Sequence, residues 1–175
     1  MIEFEEIQDN IIKFEIEYLN GKKWNVISYN EDGDYRFDLI NGKGKIIEYD
    51  YIDNDIDYKM YVAEYLNGKK NGKGKEYYRQ ICYPHCSCHI FCGLYNLVFE
   101  GEYLNGKKHK GIEYTYNDES CDLDYFPPNI ISKFEGEYLN GKKYKGIVYE
   151  KDKKGNYFIK GEFIDGVFYD QYDDF

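Results

Sequence analysis

The chain has 175 residues and a formal net charge of −10, because 33 acidic residues outnumber 23 lysines and arginines. A chain of this sign is repelled by nucleic-acid phosphates and anionic lipid headgroups unless it segregates its lysines on one surface. Hydrophobic residues make up 42% and aromatic residues 19% of the chain, which excludes a disordered segment and favours β-strands over helices.

The chain begins with MIEFEEIQDN, which is acidic and lacks the basic and apolar regions of a signal peptide. No run of about 18 apolar residues, the length that a membrane-spanning helix needs, occurs in the sequence. We therefore expect a cytoplasmic protein whose five cysteines are mostly thiols. Asn, Ile, Lys, Tyr and Phe dominate, a usage typical of AT-rich coding as in protists and large DNA viruses.

The heptapeptide EYLNGKK occurs four times, at residues 17–23, 64–70, 102–108 and 137–143. Each copy holds an Asn-Gly pair between alternating runs. Such a pair favours a two-residue type I′ turn, because both central residues need a positive φ. Asn41-Gly42 and Asp165-Gly166 mark two degenerate copies. The sequence therefore predicts six β-hairpins.

One face of each first strand carries large side chains with a small residue between them in the later copies, and we expect it to be buried. The residue nearest the turn on this face stands two positions before each turn pair. These residues are Tyr18, Leu39, Tyr65, Tyr103, Tyr138 and Phe163.

The other face carries an aliphatic residue beside each turn and an acidic residue two positions earlier. The aliphatic residues are Leu19, Ile40, Leu66, Leu104, Leu139 and Ile164. In the five copies that have a lysine after the turn, the turn geometry predicts that the acid lies diagonal to that lysine, as Glu102 does to Lys107. We interpret this ladder as a solvated face with its own counter-ions rather than an acid/base or metal site.

Six hairpins in series predict an all-β fold, an elongated single-layer antiparallel meander in which each hairpin bonds to the next. Twelve strands spaced about 4.8 Å apart would make a ribbon roughly 55 Å wide. Residues 1–175 then form a single repeat domain, and its two longest connections are insertions at residues 79–97 and 117–132.

The first insertion holds six side chains of the type that bind zinc: Cys82, His85, Cys86, Cys88, His89 and Cys92. They would close a tetrahedral site only if the segment folds back on itself, which Pro84 and Gly93 permit. The alternatives are buried thiols packed on the ribbon, or a redox-labile loop without metal. Zinc is thus one open interpretation, and no other cofactor is indicated.

The second insertion contains Cys121 and Pro127-Pro128, and consecutive prolines indicate an extended connector rather than a central strand. The chain ends in an acidic and aromatic tail, residues 167–175. We expect this tail either to cap the open edge of the last hairpin or to fray.

Three segments resemble the MORN (membrane occupation and recognition nexus) repeat: FEGEYLNGKKHKGIEYTY at residues 99–116, FEGEYLNGKKYKGIVYE at 134–150 and YLNGKKNGKGKEYY at 65–78. Tyr, Leu or Phe replaces the tryptophan usual in that repeat. The resemblance implies a single-layer β-meander used for protein–protein contact, often with self-association. Some members of the family have been associated with phospholipids.

These patterns predict a non-enzymatic scaffold for protein–protein interaction or self-association. Its candidate binding surface is an aromatic groove lined by Tyr18, Tyr65, Tyr103 and Tyr138, whose alternative role is core packing. A membrane-surface module that binds phospholipid is the second interpretation, and a zinc-stabilised structural protein is a further one. Nucleic acid is not an expected partner. No phosphate-binding loop or catalytic motif indicates an enzyme.

Overall fold

The computed structural model describes residues 2–7, 10–29, 34–52, 57–79, 95–116 and 130–172. These ranges form strands and turns and contain no helix, so none of them supplies a helix long and apolar enough to cross a membrane. The strands are β1 (Ile2–Ile7), β2 (Asn10–Leu19), β3 (Lys22–Tyr29), β4 (Tyr35–Ile40), β5 (Lys43–Ile52), β6 (Asp57–Leu66), β7 (Lys69–Arg79), β8 (Tyr95–Leu104), β9 (Lys107–Tyr116), β10 (Ile130–Leu139), β11 (Lys142–Lys151), β12 (Tyr157–Ile164) and β13 (Val167–Asp170).

All 13 strands of the described ranges belong to one antiparallel sheet, and their order in the sheet is their order in the chain. This arrangement confirms the predicted all-β meander of stacked hairpins. It has one strand more than predicted, because β1 pairs with β2 ahead of the first repeat. At about 4.8 Å per strand, the sheet is roughly 58 Å across.

The six predicted turns all have the backbone conformation that two-residue type I′ hairpins require. The first residue of each turn has φ between 51° and 55°, and the glycine that follows has φ between 67° and 88°. Asp165 adopts φ 52°, so an aspartate fits this turn as well as the five asparagines do.

Four hairpins contain a β-bulge just beyond the turn. In the β8–β9 hairpin, Tyr103 lies opposite Lys108, whereas Glu102 lies opposite Lys110, which leaves His109 as the extra residue. The β2–β3, β6–β7 and β10–β11 hairpins shift register at the equivalent place. The β12–β13 hairpin runs through that position without a shift.

The bulges change the partners of the acidic face from those predicted. Among the described side chains, no ion pair joins Glu102 to Lys107 or the equivalent residues of the other EYLNGKK copies. Instead the Glu17 carboxylate accepts a hydrogen bond from Asn25 Nδ2 at 2.6 Å, and Glu64 accepts one from the backbone N–H of Lys73 at 2.8 Å.

The turns of successive hairpins are hydrogen-bonded to one another through the N–H of the turn glycine. In each case the acceptor is a backbone carbonyl of the preceding hairpin. The bonds run from Gly42 to Trp24 at 2.7 Å, Gly68 to Gly42 at 3.1 Å, Gly106 to Lys70 at 2.8 Å and Gly166 to Tyr144 at 2.9 Å. The turns therefore form a column along one edge of the ribbon.

Among the residues whose burial the structure describes, the core consists of two clusters on one face of the sheet. The first contains Ile16, Val26, Leu39, Ile46, Ala63 and Tyr65. The second contains Phe99, Tyr103, Phe134 and Tyr138, against which Val148 and Phe163 pack.

Glycines lie beneath the phenylalanine rings of the second cluster. Gly101 lies directly opposite Gly111, and Gly136 lies opposite Gly146. A Cβ atom at Gly101 would meet the Phe99 ring at 2.8 Å and backbone atoms of β9 at still shorter distances. The large–small–large pattern therefore has a steric cause, because the phenylalanine ring covers a place where two strands approach without side chains.

Strands extend into both predicted insertions. Residue 79 ends β7 and residues 95–97 begin β8, while residues 130–132 belong to β10. Residues 80–94 and 117–129, with the six metal-ligand candidates and Cys121, lie outside the described residues. The segment predicted as a tail begins with β13, which is the second strand of the last hairpin.

Candidate functional site

The structure places the four tyrosines of the predicted groove in two different environments. Tyr65, Tyr103 and Tyr138 are only 6%, 4% and 6% exposed, whereas Tyr18 is 46% exposed. Tyr18 differs because β1 pairs with β2 only as far as Glu15, so no neighbouring strand on that side reaches Tyr18 within the described residues. Three of the four hydroxyphenyl groups therefore belong to the core, and their binding role stays a prediction.

Tyr103 and Tyr138 pack edge-to-face against the phenylalanines of the second cluster. The Phe99 centroid lies 5.5 Å from that of Tyr103 and 5.7 Å from that of Tyr138, with interplanar angles of 79° and 89°. Phe134 meets Tyr138 in the same way at 5.4 Å. The Phe99–Tyr138 contact joins adjacent hairpins, because Phe99 lies in β8 and Tyr138 lies in β10, whereas the other two contacts lie within a single strand.

A chain of charged side chains, the polar ladder, crosses the same face. It consists of Glu76, Lys108, Glu113 and Lys143. Lys108 Nζ lies 3.0 Å from Glu76 Oε2 and 3.1 Å from Glu113 Oε2, and Lys143 Nζ lies 2.8 Å from Glu113 Oε1. The Tyr103 hydroxyl donates to Glu76 Oε1 at 2.6 Å. Each glutamate is thus bound by groups of the following hairpin.

Burial and ion pairing shift the pKa of Glu113 in opposite directions. Burial raises the pKa of Glu113, but the ion pairs with Lys143 and Lys108 outweigh it, so the net pKa is lowered. Burial, followed by the neighbouring Glu76, raises the pKa of Tyr103. At neutral pH Glu113 is consequently ionised and the Tyr103 hydroxyl is neutral, and each has a partner, which is the pattern of a structural network.

The ladder glutamates have a sequence signal that the repeat analysis did not use. Glu76 and Glu113 stand two residues after Gly74 and Gly111, at the position that Val148 occupies after Gly146. Since alternate residues share a face of a strand, this spacing places both carboxylates over the core.

The two lysines of each EYLNGKK copy point to opposite faces. In three of the four copies the second lysine lies over the aromatic ring six positions before the turn: Lys70 Nζ is 3.3 Å from the Tyr61 centroid, and Lys108 Nζ is 4.4 Å from that of Phe99. Lys143 lies 5.1 Å from the Phe134 centroid in the same manner. Only the first lysine of each pair remains on the solvated face.

The solvated face ends in what we call the turn-edge row, which is made of the residue before and the residue after each turn. The six aliphatic members that precede the turns are between 44% and 57% exposed: Leu19, Ile40, Leu66, Leu104, Leu139 and Ile164. Each lies directly opposite an exposed residue of the next strand: Lys22, Lys43, Lys69, Lys107, Lys142 and Val167. The row contains seven aliphatic residues, five lysines and no acid.

A second row of alternating charge lies next to the turn-edge row. Lys73 pairs with Glu102, Glu102 with Lys110, Lys110 with Glu137, and Glu137 with Lys145. Two shallow grooves, of about 640 and 520 Å³, lie over this row. Their walls combine these charges with Ile112, so they are polar surface depressions rather than enclosed cavities.

Metal binding at the predicted cysteines and histidines stays a prediction. Within the described strands and turns, no group of three or more Cys, His, Asp or Glu side chains is placed to hold a metal ion. The candidate ligands Cys82, His85, Cys86, Cys88, His89 and Cys92 lie outside those residues.

Comparison with known proteins adds no family or activity, since no family model, curated protein or solved structure matches the chain.

Proposed function

We propose that the protein is a non-enzymatic scaffold that binds a protein partner through the turn-edge row. The observation that carries this proposal is the repeated exposure of an aliphatic side chain beside a lysine at the turns of successive hairpins. With two strands of about 4.8 Å per repeat, these pairs recur roughly every 10 Å along one edge. Exposed apolar groups in such a series are unusual on a surface that has no partner.

The charge of the row indicates the chemistry of the partner. Five lysines without an acid among them make this edge basic on a chain whose net charge is −10. A partner segment that alternates apolar side chains with carboxylates would match both the aliphatic side chains and the lysines of the row. Several weak contacts at regular spacing also bind more tightly together than each does alone.

The resemblance to the MORN repeat supports the same function, since it implies a β-meander used for protein contact and self-association. Self-association has a second support in β13, the edge strand of the described sheet. Val167, Phe168 and Tyr169 are 53%, 39% and 55% exposed there.

The test compares a row variant with a matched control. Leu66→Ser combined with Leu104→Ser removes two exposed side chains of the row, whereas Ile131→Ser combined with Ile159→Ser removes side chains of similar exposure elsewhere. The tagged full-length protein would be purified from its native cells in each form, and the co-purifying proteins quantified. The same samples would be examined by sedimentation velocity.

We expect the row variant, but not the control, to lose a stoichiometric partner. Equal recovery of partners by both variants would contradict the proposal. Loss of a dimer in the row variant alone would identify a second copy of the chain as the partner.

Binding to an anionic membrane surface is the second candidate, and the segregation of lysines favours it. Lysines near such a surface contribute about 1 kcal/mol each, and aliphatic groups beside them add apolar burial. Flotation with vesicles that contain phosphatidylserine, and with neutral vesicles, across a series of salt concentrations tests this candidate. Binding that is strong only with anionic vesicles and falls with salt would support it. Absence of flotation at low salt would exclude it.

A further inference from the structure

The sequence contains six Asn-Gly pairs, and five of them are the central residues of hairpin turns. Asn-Gly is prone to spontaneous deamidation, because glycine has no Cβ to hinder attack by its backbone nitrogen on the preceding side-chain amide. The sixth pair, Asn71-Gly72, lies in the bulge of β7 rather than in a turn.

The five turns differ in whether the N–H of the turn glycine, whose nitrogen is the attacking atom, is hydrogen-bonded. The backbone N–H groups of Gly42, Gly68 and Gly106 donate to carbonyls of the preceding hairpin at 2.7, 3.1 and 2.8 Å. For Gly21 and Gly141 no acceptor is found among the described residues.

Two further bonds hold the protected turns against the preceding hairpin. The N–H of Asn41 donates to Asn25 Oδ1 at 2.8 Å, and the N–H of Asn105 donates to Asn71 Oδ1 at 3.3 Å. The turn of Asn140 meets a hairpin that has the exposed His109 in place of Asn71. The turn of Asn20 comes first in the column of turns within the described ranges.

We propose that Asn20 and Asn140 are the sites at which the folded protein deamidates selectively. The backbone nitrogen of Gly21 or Gly141 loses its proton and forms a bond to Cγ of the asparagine. The C–N bond of the side-chain amide then breaks, ammonia is released, and the product is a five-membered succinimide ring. Water then opens either carbonyl and yields aspartate or isoaspartate.

The two products have different consequences for the hairpin. Aspartate fits the turn, as Asp165 does with φ 52°, and adds a negative charge between Leu139 and Lys142 or the equivalent residues of the turn-edge row. Isoaspartate lengthens the backbone by one methylene, so a two-residue type I′ turn no longer closes.

A glycine N–H that is bound to a carbonyl must break that bond before it can be deprotonated. The net strength of a typical intramolecular hydrogen bond corresponds to about a fivefold change in an equilibrium. We therefore expect Asn20 and Asn140 to deamidate about fivefold faster than Asn67 and Asn105 in the folded protein.

The chain supplies its own matched controls, because all four sites lie in the same heptapeptide. The folded full-length protein would be incubated in mildly alkaline buffer, digested under acidic conditions and analysed by mass spectrometry. Each site's rate would be divided by its rate in the urea-unfolded chain. Equal normalised rates at the four sites, or faster reaction at Asn67 or Asn105, would overturn the proposal.

A variant tests the cause of the protection directly. Asn71→Ala removes the acceptor of the Asn105 N–H and should raise the deamidation rate of Asn105, while Asn67 serves as the internal control. A rate at Asn105 that does not change would contradict protection by the stacked turns. Amide hydrogen exchange gives an independent readout, and we expect Gly141 to exchange faster than Gly106.

Discussion

Replacing Lys108 by methionine should destabilise the sheet far more than the same change at Lys110. The two lysines lie two residues apart in β9, on opposite sides of the His109 bulge. Lys108 is 19% exposed in its side chain and contacts Glu76 and Glu113 at 3.0 and 3.1 Å, whereas Lys110 is exposed and lies opposite Glu102 and Glu137.

The contacts of the two lysines indicate how much unfolding free energy each variant should lose. Lys108→Met leaves Glu76, which is 8% exposed, with the Tyr103 hydroxyl as its remaining partner among the described side chains. Removing one partner of a buried ion pair costs about 3–5 kcal/mol, and the partial exposure of Glu113 places this case near the lower end, at about 3 kcal/mol. Lys110→Met changes only exposed contacts and should cost less than about 0.5 kcal/mol.

Urea unfolding followed by far-ultraviolet circular dichroism measures both free energies, provided that the slope against urea stays constant among the variants. A double-mutant cycle that adds Glu76→Gln should give a coupling free energy of about 1 kcal/mol or more between Glu76 and Lys108. If Lys108→Met costs no more than Lys110→Met, the polar ladder does not join the hairpins and our reasoning is wrong.

Two other predictions concern the same face of the sheet. Gly111→Ala should lower the free energy of unfolding by about 3 kcal/mol, because its Cβ would collide with the Glu100 carbonyl oxygen. Gly106→Ala has open space around its Cβ but a φ of +88°, so it should cost only about 1 kcal/mol. Equal losses of unfolding free energy in the two variants would refute the steric explanation. Because the pKa of Glu113 is lowered from its ordinary value of 4.5, its stabilising contribution is present above that pH and is lost as the pH falls through the lowered value. The stability difference between the wild-type protein and Glu113→Gln should therefore shrink in acid titrations below pH 4.5, and a difference independent of pH would contradict the assignment.

The residues around each turn were sufficient to predict the hairpins. Asn and Gly in sequence favour positive φ by themselves, and the alternation of side chains before them places Tyr103 and Leu104 on opposite faces. The meander follows from short connections, since a hairpin has to cover its apolar face with the next hairpin. None of these inferences depends on distant parts of the chain.

The candidate site was less predictable, because it depends on which strands and side chains the neighbouring hairpins place beside each repeat. Tyr18 and Tyr65 occur in the same heptapeptide, yet one is exposed and the other is buried. The two lysines of each heptapeptide are adjacent in the sequence, yet the second one lies over an aromatic ring in three of the four copies.

The sequence by itself therefore determined the local conformations of this protein: the type I′ turns, the strands that flank them, and the face on which each side chain lies. Only the tertiary structure decided which of those side chains are buried, where the bulges shift the register, which carboxylates meet Lys108, and which turn glycines are hydrogen-bonded. The physical reason is that backbone dihedral preferences act between adjacent residues. Burial and cross-strand pairing are instead set by the neighbouring hairpin, which identical heptapeptides cannot distinguish.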